Sequence, residues 1–188
     1  QEALGGETKA VASGSAALQP RLARIFLAAL IPILEGYGLT ETSPVISVNC
    51  LKQGIKIGTV GPLLKGVKVK FASDGEILVK GPNVMMGYYK NQEANDEVFD
   101  AEGWFHTGDI GEIIDGKFLK ITDRKKEIFK TSGGKYIIPQ VMENKFKESR
   151  FIEQIMVIGE GEKHPAALIV PGYDFLREWA KRKEIKLT

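Results

Sequence analysis

The chain has 188 residues, 43% hydrophobic and 27% charged, with 26 Lys and Arg against 24 Asp and Glu for a net charge of +2. That balance describes a soluble globular protein of one or two domains and gives no support to disorder or to charge-driven nucleic-acid binding. No run of about 18 apolar residues appears, so no bilayer-spanning helix is expected, and two His with a single Cys leave no Cys/His zinc cluster. Cys50 alone excludes an internal disulfide and suits a reducing, cytoplasmic compartment. The start, Gln-Glu-Ala-Leu-Gly-Gly, has neither the basic-then-apolar pattern of a signal peptide nor an initiating Met. It points to a piece of a longer chain.

In chain order, the first predicted element is an amphipathic helix over 19–31. Pro20 suits a first helical position, and Leu22, Ile25, Phe26, Ala29 and Leu30 recur at helical spacing. A short buried strand, Ile31 to Gly38, follows and ends in glycines. From about Gly54 to Asp123 the pattern is strands and turns: Lys68–Phe71 and Glu76–Lys80 flank Ser73-Asp74-Gly75, and Gly111–Ile114 and Lys117–Ile121 flank Asp115-Gly116. A small sheet or partial barrel is expected there. Beyond Asp123, Glu127–Lys130 and Lys135–Ile138 flank a Ser-Gly-Gly turn, and Pro139 opens a helix. Strands near 155–158 and 166–170 and a helix near 174–183 complete a small α+β unit.

Three clusters carry chemistry. In Gly36-Tyr-Gly-Leu-Thr-Glu-Thr, glycines let the backbone approach a ligand, and Tyr37 offers a flat face for a base. Thr40 brings a hydroxyl for a phosphate oxygen, and Glu41 a hard carboxylate for Mg²⁺. The same residues also make an ordinary glycine turn with polar surface side chains. In Gly103-Trp-Phe-His-Thr-Gly-Asp, the carboxylate of Asp109 can accept both hydroxyls of a ribose or simply cap a turn. His106 has no Ser or Cys partner in view and reads as a structural or pocket-lining histidine. The third cluster, Asp123-Arg-Lys-Lys-Glu-Ile-Phe-Lys-Thr-Ser-Gly-Gly, is a basic hairpin at a change of composition, where ligand-linked hinge motion is one reading and a solvated charged face the other.

Taken together, these clusters resemble the adenylate-forming superfamily of acyl-CoA synthetases, luciferases and peptide-synthetase adenylation domains. The residues that carry the resemblance are Tyr37-Gly-Leu-Thr-Glu, Gly58-Thr-Val-Gly-Pro, Gly81 through Tyr89, Thr107-Gly-Asp, and Asp123-Arg-Lys-Lys-Glu-Ile through Gly134 and Pro139. The wording after Thr42, Ser-Pro-Val-Ile-Ser-Val-Asn, is most similar to bacterial long-chain fatty-acid–CoA ligases. The resemblance implies an α+β / α/β multidomain protein. Residues 1–123 would end the large AMP-binding domain, with a β-barrel-like subdomain at about 54–122, and 124–188 would begin a mobile α+β domain. By the same resemblance, Tyr37 packs on adenine, Thr40 touches the AMP phosphate, Glu41 holds Mg²⁺, Asp109 takes the ribose hydroxyls and Arg124 the ribose or a nearby phosphate. Lys126 would be the hinge, Gly14 would stand at the acyl-pocket wall, and Gly133 and Gly134 would approach CoA.

The implied reaction is activation of a fatty acid with ATP, followed by acyl transfer to CoA. Implied partners are therefore fatty acid, ATP and CoA, with Mg²⁺, without nucleic acid, and with room for peripheral membrane association. Two parts of the family pattern are not found in the 188 residues: the Ser/Thr/Gly-rich phosphate loop and a late lysine in a Gly-Lys context. The expectation is a piece truncated at both ends and inactive by itself. Alternatives are an adenylation domain for another carboxylic acid and a non-catalytic nucleotide-binding module.

Overall fold

The computed structural model of the protein describes residues 5–186, apart from the Lys126 side chain. The chain divides into two compact units, Gln1–Thr122 and Asp123–Thr188. In the first, β1 (Val11–Ser13), β2 (Ile33–Gly38) and β3 (Val45–Val48) make a sheet in that order, β1 parallel and β3 antiparallel to β2. A parallel pair needs a crossover, and helix α1 (Pro20–Ala28) supplies it. Pro20 fits its first turn. Leu30 at φ +61 and Pro32 two residues on stop it three residues short of the expected end.

The second sheet of this unit has strands β4 (Gly61–Pro62), β5 (Lys68–Phe71), β6 (Glu76–Lys80), β7 (Phe105–Ile114) and β8 (Phe118–Arg124), in the order β4-β8-β7-β6-β5. The hairpin turns fall where the sequence puts them. Asp115 and Gly116 both have positive φ, as a two-residue hairpin with strand-compatible twist requires. The barrel-like subdomain, however, is an open sheet: among the described residues no pairing joins β4 to β5. β4 is two residues long and includes Pro62, which has no N–H to extend a ladder, so that edge has little with which to close. Helix α2 (Gln92–Val98) was not evident from periodicity because it buries no side chain; Asn91 caps it, accepting from the Ala94 N–H at 3.1 Å.

Ile46 of β3 packs with Val60, Val67, Ile77, Val79 and Leu119 in one buried cluster, which joins the two sheets of the unit. The Leu64 N–H donates to the Ile46 carbonyl at 2.9 Å across the same seam. Nearby, Asn49 is buried, its side-chain amide donating to the Thr59 carbonyl at 2.6 Å and its Oδ1 accepting from the Lys56 N–H at 3.0 Å. The Gly58–Pro62 run is thereby pressed against the end of β3.

The second unit holds a one-turn 3-10 helix (Lys125–Glu127), a hairpin of β9 (Phe129–Lys130) and β10 (Tyr136–Ile137), helix α3 (Pro139–Phe146), a hairpin of β11 (Ile152–Ile158) and β12 (Ala166–Pro171), and helix α4 (Tyr173–Arg182). Phe129, Ile137 and Val157 form its small core with Met142 against them. Phe151 meets Phe175 and Trp179 edge-on, with ring centroids 4.9 and 5.5 Å apart. No helix among the described residues is long and apolar enough to cross a membrane.

Gly61 makes the seam at the end of β3 testable. Its φ is +85, and a Cβ there would lie 2.1 Å from both the Val48 carbonyl carbon and the Asn49 nitrogen. Gly61→Ala is expected to cost about 3 kcal/mol, the upper range for overpacking against backbone. Thermal denaturation checks this; a melting temperature within a degree of wild type would show that the seam relaxes freely.

Candidate active site

The glycine-rich end of β2 builds the first half of the site. At Gly38 an added Cβ would fall 1.6 Å from the Pro44 carbonyl oxygen, so only glycine lets the chain double back there. The reversal is closed by buried Thr42, whose hydroxyl oxygen accepts from the Leu39 N–H at 2.9 Å and lies 3.0 and 2.8 Å from the Leu39 and Pro44 carbonyls. The resulting 3-10 turn, Thr40–Thr42, leaves Thr40 exposed and Glu41 half-buried. One Glu41 oxygen, Oε1, accepts from the Tyr88 hydroxyl at 2.9 Å. Glu41 makes no ion pair among the described residues, so its second oxygen presents a hard donor of the kind Mg²⁺ takes from one or two carboxylates alongside substrate phosphates. The residue type and its partial exposure fit that ion.

The second half comes from β7. Tyr37 Oη donates to Asp109 Oδ2 at 2.6 Å, a contact between residues 72 positions apart. Asp109 is 5% exposed. It stands inside β7, where β6 and β7 shift register between Glu76 and Leu78. Gly108 at φ +73 makes the irregularity, a bulge that re-aims the following side chain. Glu76, 4% exposed, holds that bulge with both oxygens: Oε1 accepts from the Gly108 N–H at 3.0 Å, and Oε2 lies 3.1 Å from His106 Nδ1. Thr107 donates to the Ile77 carbonyl at 2.8 Å and accepts from the Asp109 N–H at 3.1 Å.

Gly14 follows the last residue of β1, whose Ser13 pairs with Glu35, and a Cβ on it would meet only the Gly36 carbonyl oxygen at 3.6 Å. Glu35 accepts from the Leu18 N–H at 3.1 Å, fixing the far end of that loop, and burial raises its carboxyl above the usual range against the lowering effect of that bond. Gly14, Tyr37, Thr40, Glu41 and Asp109 thus share the first unit. Arg124, Lys126, Gly133 and Gly134 belong to the second.

In that unit Arg124 is exposed, its guanidinium 3.8 Å from Glu127. The backbone of Lys126 lies in the turn Lys125–Glu127, and its side chain is outside the described residues. Gly133 and Gly134 tip the β9–β10 hairpin. Its base is fixed by Ser132 N–H to Glu162 carbonyl and Gly161 N–H to Lys130 carbonyl bonds, both 2.9 Å, while space around both glycines is open. Nothing in the sequence marks Glu76 or Tyr88 as a site residue. In sequence Glu76 is one charge in an alternating strand, and nothing separates Tyr88 from its neighbour Tyr89.

The sequence profile of AMP-binding enzymes matches residues 1–89. Long-chain-fatty-acid–CoA ligase FadD15 of Mycobacterium bovis is 41% identical over 180 residues, 96% of this chain and 30% of the relative. Residues 1–89 belong to the AMP-binding enzyme family. The chain spans about 30% of the length of that curated relative. Among solved structures, o-succinylbenzoate CoA synthetase from Bacillus subtilis in complex with its acyl-adenylate intermediate aligns with a TM-score of 0.79 and 26% identity, covering 100% of this chain and 43% of that one. The same enzyme with ATP and magnesium ion aligns at 0.76 and 27% identity, over 96% of this chain. The mixed α/β architecture is that of adenylate-forming enzymes.

Beside Arg124, Asp123 is 2% exposed; Oδ1 accepts from the Arg124 N–H at 2.7 Å, and Oδ2 has no hydrogen-bond partner among the described residues. Burial raises its carboxyl above 3.8, Glu127 adds to this, and the Arg124 N–H opposes it. A raised folded value means stability fully present below the ordinary carboxylate range and lost as pH rises through the folded value. Asp123→Asn is therefore expected to melt above wild type at pH 8, with the gap shrinking as pH falls towards 4. Equal destabilisation of the variant at both pH values would contradict the buried-charge account.

Proposed function

We infer that these 188 residues form the nucleotide-holding part of a long-chain fatty-acid–CoA ligase, with residues 124–188 in its mobile domain. The complete enzyme activates a fatty acid with ATP to acyl-AMP and transfers the acyl group to CoA. The observation that carries the reading is the 2.6 Å bond between Tyr37 and Asp109. It unites two motifs far apart in sequence at one point, where an aromatic face and a carboxylate suit a base and a ribose. The 41% identity to a long-chain-fatty-acid–CoA ligase over nearly the whole chain supports the choice of substrate class.

In this reading the Tyr37 ring packs on adenine, Asp109 accepts from the ribose hydroxyls, and the Thr40 hydroxyl donates to the AMP phosphate. Arg124 of the second unit adds positive charge at the ribose or phosphate. Glu41 would hold Mg²⁺, which when bound neutralises phosphate charge and polarises the phosphoryl oxygens. A fatty-acid carboxylate oxygen attacks the α-phosphorus and the bond to pyrophosphate breaks, giving acyl-AMP. The CoA sulfur, having lost its proton, then attacks the acyl carbonyl, and AMP leaves with the electron pair of the broken C–O bond. Gly14 borders the acyl chain, Gly133 and Gly134 border CoA, and Lys126 is the hinge between the two half-reactions. Turnover is assigned to the complete enzyme, not to the 188-residue polypeptide by itself.

A ribose contact is made in ground and transition states alike, so its loss falls on KM. In the complete enzyme Asp109→Ala is expected to raise the KM for ATP about 10- to 100-fold, as for a hydrogen bond to a charged group, with kcat at saturating ATP changed much less. Steady-state kinetics of pyrophosphate release check this. A loss confined to kcat would contradict the ribose assignment.

A further inference from the structure

The loop between β6 and α2 is fastened to the Thr40–Thr42 turn and to the start of β3 at four points. Asn83 Nδ2 donates to the Thr42 and Val45 carbonyls at 3.0 and 2.9 Å, the Met85 N–H donates to the Glu41 carbonyl at 2.8 Å, and Tyr88 Oη donates to Glu41 Oε1 at 2.9 Å. Two of these bonds fix the backbone of the turn and one the start of β3. The fourth fixes a side chain that the turn would otherwise leave free to rotate.

Tyr88 is itself clamped. Asn95 of α2 accepts from the Tyr88 N–H at 2.6 Å and donates to the Tyr88 carbonyl at 3.3 Å, so the helix holds the tyrosine backbone from both sides. Its neighbours point outward: Met86 is fully exposed and Tyr89 is 87% exposed. Of these three large side chains only Tyr88 turns in, and it turns onto Glu41.

We propose that Tyr88 is a positioning residue for the Glu41 carboxylate, occupying one oxygen so that the other would be held ready for a divalent cation. The inference rests on the reading of Glu41 as the magnesium-binding group and adds to it the residue that orients that group. A flexible glutamate must lose side-chain freedom to bind a metal, and a hydrogen bond already made removes part of that cost beforehand. Asn95 is the brace that keeps the phenol in place.

The experiment compares Tyr88→Phe, Asn95→Ala and Glu41→Gln in the complete enzyme. Calorimetry measures binding of a non-hydrolysable ATP analogue with Mn²⁺, and again in excess chelator, with thermal melts alongside. Tyr88→Phe deletes one hydroxyl and is expected to weaken metal-dependent nucleotide binding about tenfold, in the range for partners of metal ligands. Metal-free nucleotide binding should stay at the wild-type value. Asn95→Ala keeps the phenol and should give a smaller loss of the same selective kind, which serves as the reading if Tyr88→Phe folds poorly. Glu41→Gln must abolish the metal-dependent part. If Glu41→Gln does so while folded Tyr88→Phe and Asn95→Ala bind metal–nucleotide as wild type does, the positioning role is overturned and the Glu41 reading stands. If Glu41→Gln leaves metal dependence intact, the Glu41 reading fails and takes the inference with it. Equal weakening by Tyr88→Phe with and without metal would also overturn the proposal, since it would mean general distortion of the pocket.

Discussion

A carboxylate sealed from water is costly unless its oxygens are hydrogen-bonded, and Asp109, 5% exposed, meets that demand with the Tyr37 hydroxyl at 2.6 Å. The bond ties the end of β2 to the middle of β7, the two sheets of the first unit. For it to form, β2 must reverse at Gly38 and β7 must bulge at Gly108. The reversal is closed by Thr42 and the bulge by Glu76, both almost fully buried. Thr42 and Glu76 are thus supports converging on Tyr37 and Asp109. Removing a support would leave a buried donor or acceptor unpaired, which costs more than the net value of the bond itself.

Much of this was legible in the sequence because it rests on local rules. Asp115-Gly116 and Ser73-Asp74-Gly75 dictate hairpins through φ preferences that do not depend on the rest of the chain. Pro20 and Pro139 mark helix starts for the same kind of reason. Tyr37, Glu41 and Asp109 stood out as chemistry-bearing residues beside glycines, and Tyr37 and Asp109 do meet.

What was not legible depends on contacts between distant segments. Asp109 after its glycine can be read as a turn cap, yet it lies mid-strand, because a bulge is defined by the partner strand and not by the bulged one. α2 escaped notice since Gln92–Val98 buries nothing, and an amphipathic signal needs a buried face. Of the expected small sheet or partial barrel, the sheet is present and no closure is found among the described residues: two-residue β4 with Pro62 cannot carry a closing ladder. Tyr88 and Tyr89 are chemically identical neighbours, and only the clamp from Asn95 selects the one that meets Glu41.

The central claim is that Tyr37 and Asp109 act on the nucleotide as one unit. A double-mutant cycle with Tyr37→Phe, Asp109→Ala and the pair, read as AMP dissociation constants of the complete enzyme, tests it most directly. Phe keeps the stacking face and removes only the hydroxyl that holds the carboxylate. If the two residues are one unit, the double variant binds AMP little worse than Asp109→Ala, with a coupling energy of about 1 kcal/mol or more. Losses that add within about 0.3–0.5 kcal/mol, the behaviour of independent sites, would contradict the account.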